Sequence, residues 1–443
     1  MISGVRSMKS KSRATLARIV TLSALPGALA LLLWCVPAPS LQPQSPAPQP
    51  ALDRISIDPW IPEGPREEIR WRKRLYKPAL SLHQRLLTVL EIKVPVKELA
   101  KRRDAGRLVA ILQVTDSKGR VYREDDDLDL QMVNPKARKA EIVFMWRAFM
   151  LPGDYTLAMA LYDTATRERS FEQRSLRVEA MKSDPLPEAW KDLPTVEFLE
   201  SPPGPEGYFH PELKGRLHLP LQSKRPVRIE LLFNLTPSER KTRSASAYNQ
   251  NLSVLLPILK TFAGIETQNG AVDVATLDLM HHRVGFEQNN VTDLDWVRLK
   301  LALKAADSGI VDVDALRQRK ENAAFLKKEL ERRTKSADDR EVRNGLRVIV
   351  LVSSPMAFES GASLRAAAVQ AKCDCRFYYV RCERVLRSAD FETGQIWMGT
   401  ALDEIEGIVK PFKPRVFAVE SPEAVRKALA AILSEVSQMS EAN

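Results

Sequence analysis

Cysteine is scarce in this sequence, which has four cysteines in 443 residues. Cys35 lies in an N-terminal apolar segment, whereas Cys373, Cys375 and Cys382 lie close together near the C-terminus. Three cysteines in one region allow at most one disulfide, so a disulfide-stapled fold is excluded. A Cys375–Cys382 disulfide and reduced, buried thiols remain alternatives. A zinc site is not expected, because the Cys-Asp-Cys spacing lacks a second pair of ligands.

The sequence also lacks the motifs of common catalytic and phosphate-binding sites. It contains no Gly-x-Ser-x-Gly, no His-Glu-x-x-His and no Gly-x-x-x-x-Gly-Lys-Ser/Thr. Ser353 and Ser354 follow an apolar run, but Val352 and Pro355 flank them where a nucleophile turn needs glycine. We therefore predict a protein that is not an enzyme and that has no cofactor.

Positive charge is not concentrated on the folded part of the chain. The formal charge is +11, and residues 1–40 contain five Lys or Arg and no acidic residue, which leaves +6 on the remainder. Proteins that bind nucleic acid have a concentrated basic face or a known recognition motif. Neither is present, so nucleic acid is not an expected partner.

The first forty residues have the pattern of an export signal. A basic stretch precedes 19-IVTLSALPGALALLLW-34, and the small-residue sequence 37-PAPS-40 follows it. Trp34 stands where lipidation of Cys35 would need a small residue. Residues 1–40 are therefore predicted to be a signal peptide or an uncleaved N-terminal membrane anchor. The chain is predicted to be periplasmic or extracellular, with no other contact with a membrane.

The N-terminal half contains short alternating segments that are typical of a β-sandwich. A Pro-rich linker and strap, predicted over 41–80, precedes 86-LLTVLEIKVPV-96 and 107-RLVAILQVTDSKGRVY-122. Further alternating, strand-like segments follow, and turns with proline, glycine or polar residues separate them. The pattern over 81–182 resembles immunoglobulin and fibronectin domains, although the Cys–Trp–Cys arrangement of antibody domains is absent.

The C-terminal half alternates strand and helix patterns. A second Pro-rich linker is predicted over 183–222, and an α/β domain over 223–440. The apolar runs 227-VRIELLFNL-235 and 345-GLRVIVLVSS-354 suit strands that are covered on both faces. Because helical patterns lie between the strands, we predict a doubly wound, mostly parallel sheet of Rossmann-like type.

Three segments of this half resemble the von Willebrand factor A (vWA) family. They are 234-NLTPS-238, where the family has Asp-x-Ser-x-Ser, then 348-VIVLVSSP-355, and 415-RVFAVESPEAVRKALAAIL-433. The last segment also predicts a helix that starts at Pro422 with Ser421 as its N-cap. The resemblance implies three loops at the carboxyl edge of the sheet that hold a metal-ion-dependent adhesion site. It also implies an exported bacterial protein that binds other proteins.

The positions that match the metal ligands of the vWA family hold no negatively charged side chain in this sequence. A divalent cation needs oxygen ligands with negative charge, whereas the matching positions hold neutral side chains. The resemblance therefore implies a degenerate site without metal. The candidate partner-binding residues are Asn234, Thr236, Ser238, Thr292, Ser353 and Ser354.

These features together predict an exported, non-enzymatic protein–protein interaction protein of adhesion or scaffold type. Its expected partner is another secreted or envelope protein. Two alternatives remain open. In a metal-dependent adhesin, Asp293, Asp312 or Asp314 would supply the missing charge. In a serine hydrolase, Ser353 or Ser354 would be the nucleophile, with His281 or His282 as the base. The two histidines do not predict a shared metal, because neighbours on a strand point to opposite faces.

Overall fold

The fold is described by a computed structural model. It covers residues 55–102, 106–200, 209–236, 245–306, 321–335, 345–358, 375–383 and 403–441. The predicted signal peptide or anchor lies outside these ranges. None of the described helices is both long and apolar enough to cross a bilayer.

The N-terminal half consists of two antiparallel sheets. One sheet has the order β1-β9-β8-β5-β6, and the other has the order β10-β7-β4-β2 with β3 also paired to β4. A four-residue helix, α1 (Val96–Leu99), follows β4. The strands are β1 (Arg66–Glu67), β2 (Arg72–Leu75), β3 (Ala79–Leu80), β4 (Leu86–Pro95), β5 (Arg107–Asp116), β6 (Val121–Asp129), β7 (Glu141–Met150), β8 (Gly153–Asp163), β9 (Arg169–Val178) and β10 (Val196–Phe198).

Alternation along the strands explains why these two sheets face each other. Leu90 and Ile92 of β4 and Leu108 and Leu112 of β5 are buried in one shared cluster. Residues two apart on a strand lie on the same face, so each sheet presents an apolar face to the other. The segment predicted as a strap supplies β1, β2 and β3, so it is part of both sheets.

The C-terminal half is built around a six-stranded mixed sheet. Its order is β15-β14-β12-β16-β17-β18, and a separate parallel pair joins β11 to β13. The strands are β11 (Leu219–Leu221), β12 (Val227–Asn234), β13 (Ile265–Thr267), β14 (Gly270–Asp278), β15 (Arg283–Gln288), β16 (Leu346–Ser353), β17 (Cys375–Cys382) and β18 (Arg415–Val419). The helices are α2 (Ala245–Ala263), α3 (Trp296–Ala306), α4 (Asn322–Lys335), α5 (Ile405–Val409) and α6 (Pro422–Glu441).

Strand β12 lies in the middle of this sheet and is buried on both faces. Leu231 belongs to the cluster that also contains Leu255 of α2 and Leu429 of α6. Leu232 belongs to the cluster on the other face, which includes Leu326 of α4. The near-continuous apolar sequence of β12 follows from burial on both sides.

The predicted fold class is wrong. Among the described residues, strand content is 40% and helix content 26%, and nine of their fourteen strand pairs are antiparallel. The sheet over the C-terminal half is mixed, because β15 returns antiparallel to β14. The chain is therefore built mainly from antiparallel and mixed sheets and not around a doubly wound parallel domain. Alternating strand and helix patterns did not reveal the direction in which each strand pairs.

A buried ion pair joins the two halves of the chain. Arg426 of α6 is fully buried, and its guanidinium donates two hydrogen bonds to the carboxylate of Asp184, over 2.6 and 2.8 Å. It also stacks over the Trp190 ring, 4.8 Å from the ring centroid. The Gln84 side chain donates to the Pro422 carbonyl over 3.1 Å. We call Gln84, Asp184, Trp190 and Arg426 the interdomain clamp.

Candidate functional site

Four of the six predicted site residues meet at the carboxyl ends of two neighbouring strands, β12 and β16. Asn234 ends β12 and Ser353 ends β16, and the two residues are register partners. Thr236 and Ser354 follow directly. Together with Asn251 of α2 they form what we call the strand-end network.

Hydrogen bonds within the network engage each of these side chains. The Asn234 amide donates to Ser353 Oγ over 2.9 Å, and its Oδ1 accepts from the Thr236 backbone amide over 3.1 Å. Ser353 Oγ donates to the Ser354 carbonyl over 2.7 Å. Thr236 Oγ1 accepts from the Leu279 backbone amide over 2.8 Å, which ties β12 to the end of β14.

Asn251 completes the network, and sequence reasoning missed it. Its amide donates to the Leu235 carbonyl, and its Oδ1 accepts from Ser354 Oγ over 2.8 Å. The available signal was its position four residues before Leu255, which is buried in the core. A polar residue on the buried face of a helix needs a partner inside the protein.

The network is nearly closed to solvent. Asn234 and Ser353 are 0% exposed and Thr236 is 3% exposed. Their oxygens satisfy backbone and side-chain donors of the strand ends and point away from solvent. The described part of the network therefore has the properties of a structural cap.

Thr292 is not part of this network. The Val291 amide donates to the Val272 carbonyl, which places Thr292 near the beginning of β14. Asn234 pairs with Leu277 near the other end of β14, about 17 Å further along the strand. Asp293 follows Thr292, so it too lies at the edge away from Asn234. Three further predicted residues, Ser238, Asp312 and Asp314, lie outside the described residues.

The two histidines have partners of their own. His281 Nδ1 lies 2.7 Å from Asp278 Oδ2, and His282 Nε2 lies 2.9 Å from Asn322 Oδ1. The hydroxyls of Ser353 and Ser354 donate to a carbonyl and to Asn251. The structure thus does not join serine and histidine in the way the hydrolase alternative requires. In the described ranges, no three His, Cys, Asp or Glu side chains are grouped as metal ligands.

The structure excludes a Cys375–Cys382 disulfide, which was one of the two alternatives left open for these cysteines. The two residues stand at opposite ends of β17, about 23 Å apart in an extended strand, whereas a disulfide needs Cα atoms within about 7 Å. Cys382 is a free, buried thiol. Burial raises the pKa of Cys382 to about 12, so the thiolate is disfavoured and the thiol is chemically inert in the native protein.

A cleft at the opposite edge of the sheet was not predicted. Its volume is about 350 Å³, and its walls come from both halves of the chain. We call it the interdomain cleft. Its walls are His83 and Arg85 from the turn before β4, residues 211–217, then Lys260, Thr261, Ala263 and Gly264 at the end of α2, and Thr292, Asp293, Leu294 and Trp296.

Glu197 of β10 holds one wall of this cleft in place. Its carboxylate forms an ion pair with Arg85 and accepts hydrogen bonds from the backbone amides of Lys214 and Gly215. Burial raises the pKa of Glu197, but the Arg85 guanidinium and these amides outweigh it, so the pKa is lowered overall. A Cβ at Gly215 would lie 2.5 Å from Arg85, so glycine permits this close approach.

Lys260, at the end of α2, contributes a half-buried ammonium group to the cleft. Its Nζ donates to the Leu213 carbonyl over 2.8 Å and lies 5.4 Å from the centroid of the Trp296 ring. Burial lowers the pKa of Lys260, with partial compensation from nearby carboxylates. Burial also lowers the pKa of His83 well below its usual value, and the charges of His210, Lys260 and Arg85 add to that effect.

Comparisons with known proteins do not assign a family. No protein-family model matches the chain, and no curated protein matches it. A structural-genomics target named SoR45 aligns with 26% of this chain and 88% of its own, at 10% identity and a TM-score of 0.16. Two structures of a glycosyl hydrolase family 2 member from Bacteroides cellulosilyticus align with 77% of this chain at 7% identity, with TM-scores of 0.17 and 0.19. The alignment spans 37% of the hydrolase chains, and similarity this weak supports no conclusion about fold or activity.

Proposed function

We propose that this chain is a non-enzymatic protein-binding protein of adhesion or scaffold type, which acts outside the cytoplasm on another exported protein. The observation that carries the proposal is the interdomain cleft. Its walls come from both halves of the chain, and binding sites occur preferentially at such interfaces.

The interdomain clamp supports this function because its contacts join the two halves of the chain that line the cleft. Asp184 and Arg426 pair through two hydrogen bonds, and Leu82 of the first half packs in the same cluster as Val425 of α6. A preorganised site loses less conformational entropy on binding than a flexible one. A partner bound at the cleft would not contact the strand-end network, which therefore keeps its structural role.

The proposal is tested by photocrosslinking in cells that naturally produce the protein. A benzoylphenylalanine in place of Lys214, which is exposed at the cleft, is compared with one in place of Lys136, an exposed residue of the first half. We expect one discrete adduct with an exported protein from position 214 and none from position 136. The absence of an adduct at 214, or the same adduct from both positions, would contradict the proposal.

A fluorophosphonate probe tests the enzymatic alternative on the same purified protein. We expect no labelling, because both serine hydroxyls donate to internal acceptors. Labelling that Ser354→Ala abolishes would show a reactive serine, and the non-enzymatic proposal would then be abandoned.

A further inference from the structure

We propose that the interdomain cleft binds a single carboxylate group of the partner protein, an acidic side chain or a chain terminus, against the ammonium of Lys260. This inference rests on the proposed function and specifies the chemistry of its site. It follows from the position of Lys260, a half-buried cation of the cleft whose described hydrogen bond goes to a neutral carbonyl.

Each carboxylate of the cleft already has a partner. Glu197 pairs with Arg85 and two backbone amides. Glu212 lies 3.2 Å from the His210 ring, and Asp293 accepts from the Leu294 backbone amide over 3.0 Å. None of these three carboxylates forms an ion pair with Lys260 among the described contacts, although their charges partly offset the lowering of its pKa by burial.

Lys260 is different, because its described hydrogen bond goes to the neutral carbonyl of Leu213. No described carboxylate forms an ion pair with it, and two of its three N–H donors remain for a ligand. Its half-buried position removes part of its hydration, and an unpaired charge in such a place is costly. A carboxylate that enters the cleft would offset this cost.

The electrostatics of the neighbouring groups favour the same ligand. Arg85 and His83 line the same cavity as Lys260. Burial lowers the pKa of both His83 and Lys260, and the positive charge of Arg85 adds to both effects. An anion between them would relieve this repulsion. Bound carboxylate should therefore raise the pKa of Lys260 towards its usual value.

The charge balance favours a carboxylate over a phosphate. Arg85 is already neutralised by Glu197, and Lys214 and Arg216 are exposed at the cleft, which leaves Lys260 as the half-buried cation of the cleft without an ion pair among the described groups. The Lys214 and Gly215 amides, which could otherwise hold phosphate oxygens, are engaged by Glu197. One positive charge matches a monoanion, and the Trp296 ring offers an apolar wall for the attached carbon chain.

The direct test is calorimetric titration of the purified full chain with two blocked hexapeptides, one of glutamate and one of glutamine. We expect the glutamate peptide to bind at least tenfold more tightly. Lys260→Met should weaken its binding at least tenfold, and Lys260→Arg should keep it within about threefold. The matched control Lys136→Met should have no effect. Equal binding of the two peptides, or unchanged binding by Lys260→Met, would refute the inference.

Acetate and inorganic phosphate distinguish a carboxylate site from a general anion site. We expect millimolar acetate to compete with the glutamate peptide more effectively than phosphate at equal ionic strength. Stronger competition by phosphate would overturn the assignment to a carboxylate.

A measurement on the protein without substitutions tests the inference even if a Lys260 variant fails to fold. Acylation of Lys260 by acetic anhydride is followed by peptide mass spectrometry, with Lys136 as the internal reference. The glutamate peptide should slow acylation of Lys260 and leave Lys136 unchanged, and the glutamine peptide should protect neither. Equal acylation of Lys260 with both peptides would contradict the inference.

Failure of the inference can be told apart from failure of the proposed function. If the crosslink forms at position 214 but the glutamate peptide does not bind, the chain binds a protein through other chemistry. If the peptide binds but no crosslink forms in cells, the carboxylate site stands and the protein-binding function does not.

Discussion

At the residue scale, the strand-end network shows how neutral side chains can hold the edge of a sheet together. Asn234, Thr236 and Ser353 are buried polar residues, and each oxygen or amide named above satisfies a backbone or side-chain group. A buried polar group that loses its partner costs about 1–3 kcal/mol. The stability of this edge therefore depends on individual hydroxyl and amide groups.

Thr236→Val tests this dependence. The substitution keeps the shape of the side chain but removes the oxygen that accepts from the Leu279 amide. We expect the free energy of unfolding to fall by about 2 kcal/mol, because that amide is left without an acceptor. Urea denaturation measures the change. Thr236→Ser, which keeps the hydroxyl, should cost less than about 1 kcal/mol, and an equal loss in both variants would argue against the hydrogen bond as the cause.

At the element scale, the pairing of β12 with β14 depends on a close approach of two backbones. Gly270 begins β14 opposite Val227, and a Cβ at this position would lie 1.9 Å from the Val227 carbonyl oxygen. A backbone atom cannot move aside as the end of a flexible side chain can. Only glycine fits there without shifting one strand.

Gly270→Ala should therefore destabilise the protein by about 3 kcal/mol, at the upper end of the range for overpacking. Thermal or urea unfolding provides the measurement. Gly407→Ala is a matched control in α5, where an added Cβ meets nothing within 4 Å. It should be neutral or stabilising by up to about 1 kcal/mol, because alanine favours helix over glycine. A neutral Gly270→Ala would mean that β12 and β14 approach less closely.

At the scale of the whole molecule, the interdomain clamp joins the two halves into one unit with a shared cleft. Burial raises the pKa of Asp184, but the hydrogen bonds from Arg426 and from the Leu186 amide outweigh it, so the pKa lies below the usual 3.8. A carboxylate with a lowered pKa stabilises the folded state above its unfolded pKa. That contribution disappears as the pH falls through the native pKa.

Asp184→Asn should cost about 3 kcal/mol at neutral pH, because it leaves the buried Arg426 charge without its counterion. The difference from the unaltered protein should shrink as the pH falls below the usual aspartate pKa of 3.8 and towards the lower pKa of Asp184 in the folded protein, where its carboxylate becomes protonated. Urea unfolding from pH 3 to pH 7 follows both effects. Asp154→Asn, which alters an exposed ion pair with Arg177, serves as the control and should change stability little. A cost for Asp184→Asn that does not vary with pH would contradict this account.

Several elements could be predicted from the sequence because their causes are local. The helix at 422–437 was predicted from its cap, and α6 begins at Pro422 with the Ser421 hydroxyl accepting from the Ala424 amide. Strand β12 was predicted from its apolar run and ends at Asn234. The resemblance to the vWA family implied that Asn234, Thr236, Ser353 and Ser354 lie together at strand ends, and hydrogen bonds connect Asn234 with Thr236 and Ser353, and Ser353 with Ser354.

The sequence by itself thus determined where several of the strands and helices form and which polar residues end the central strands, because these depend on neighbours in the chain. Only the tertiary structure decided the directions of strand pairing, the separation of Cys375 from Cys382 and the place of Thr292. It alone brought Arg85, Glu197 and Lys260 to one cleft, and Asp184 to Arg426 more than two hundred residues away. Those contacts depend on how whole sheets and helices pack, and no periodicity along the chain records that packing.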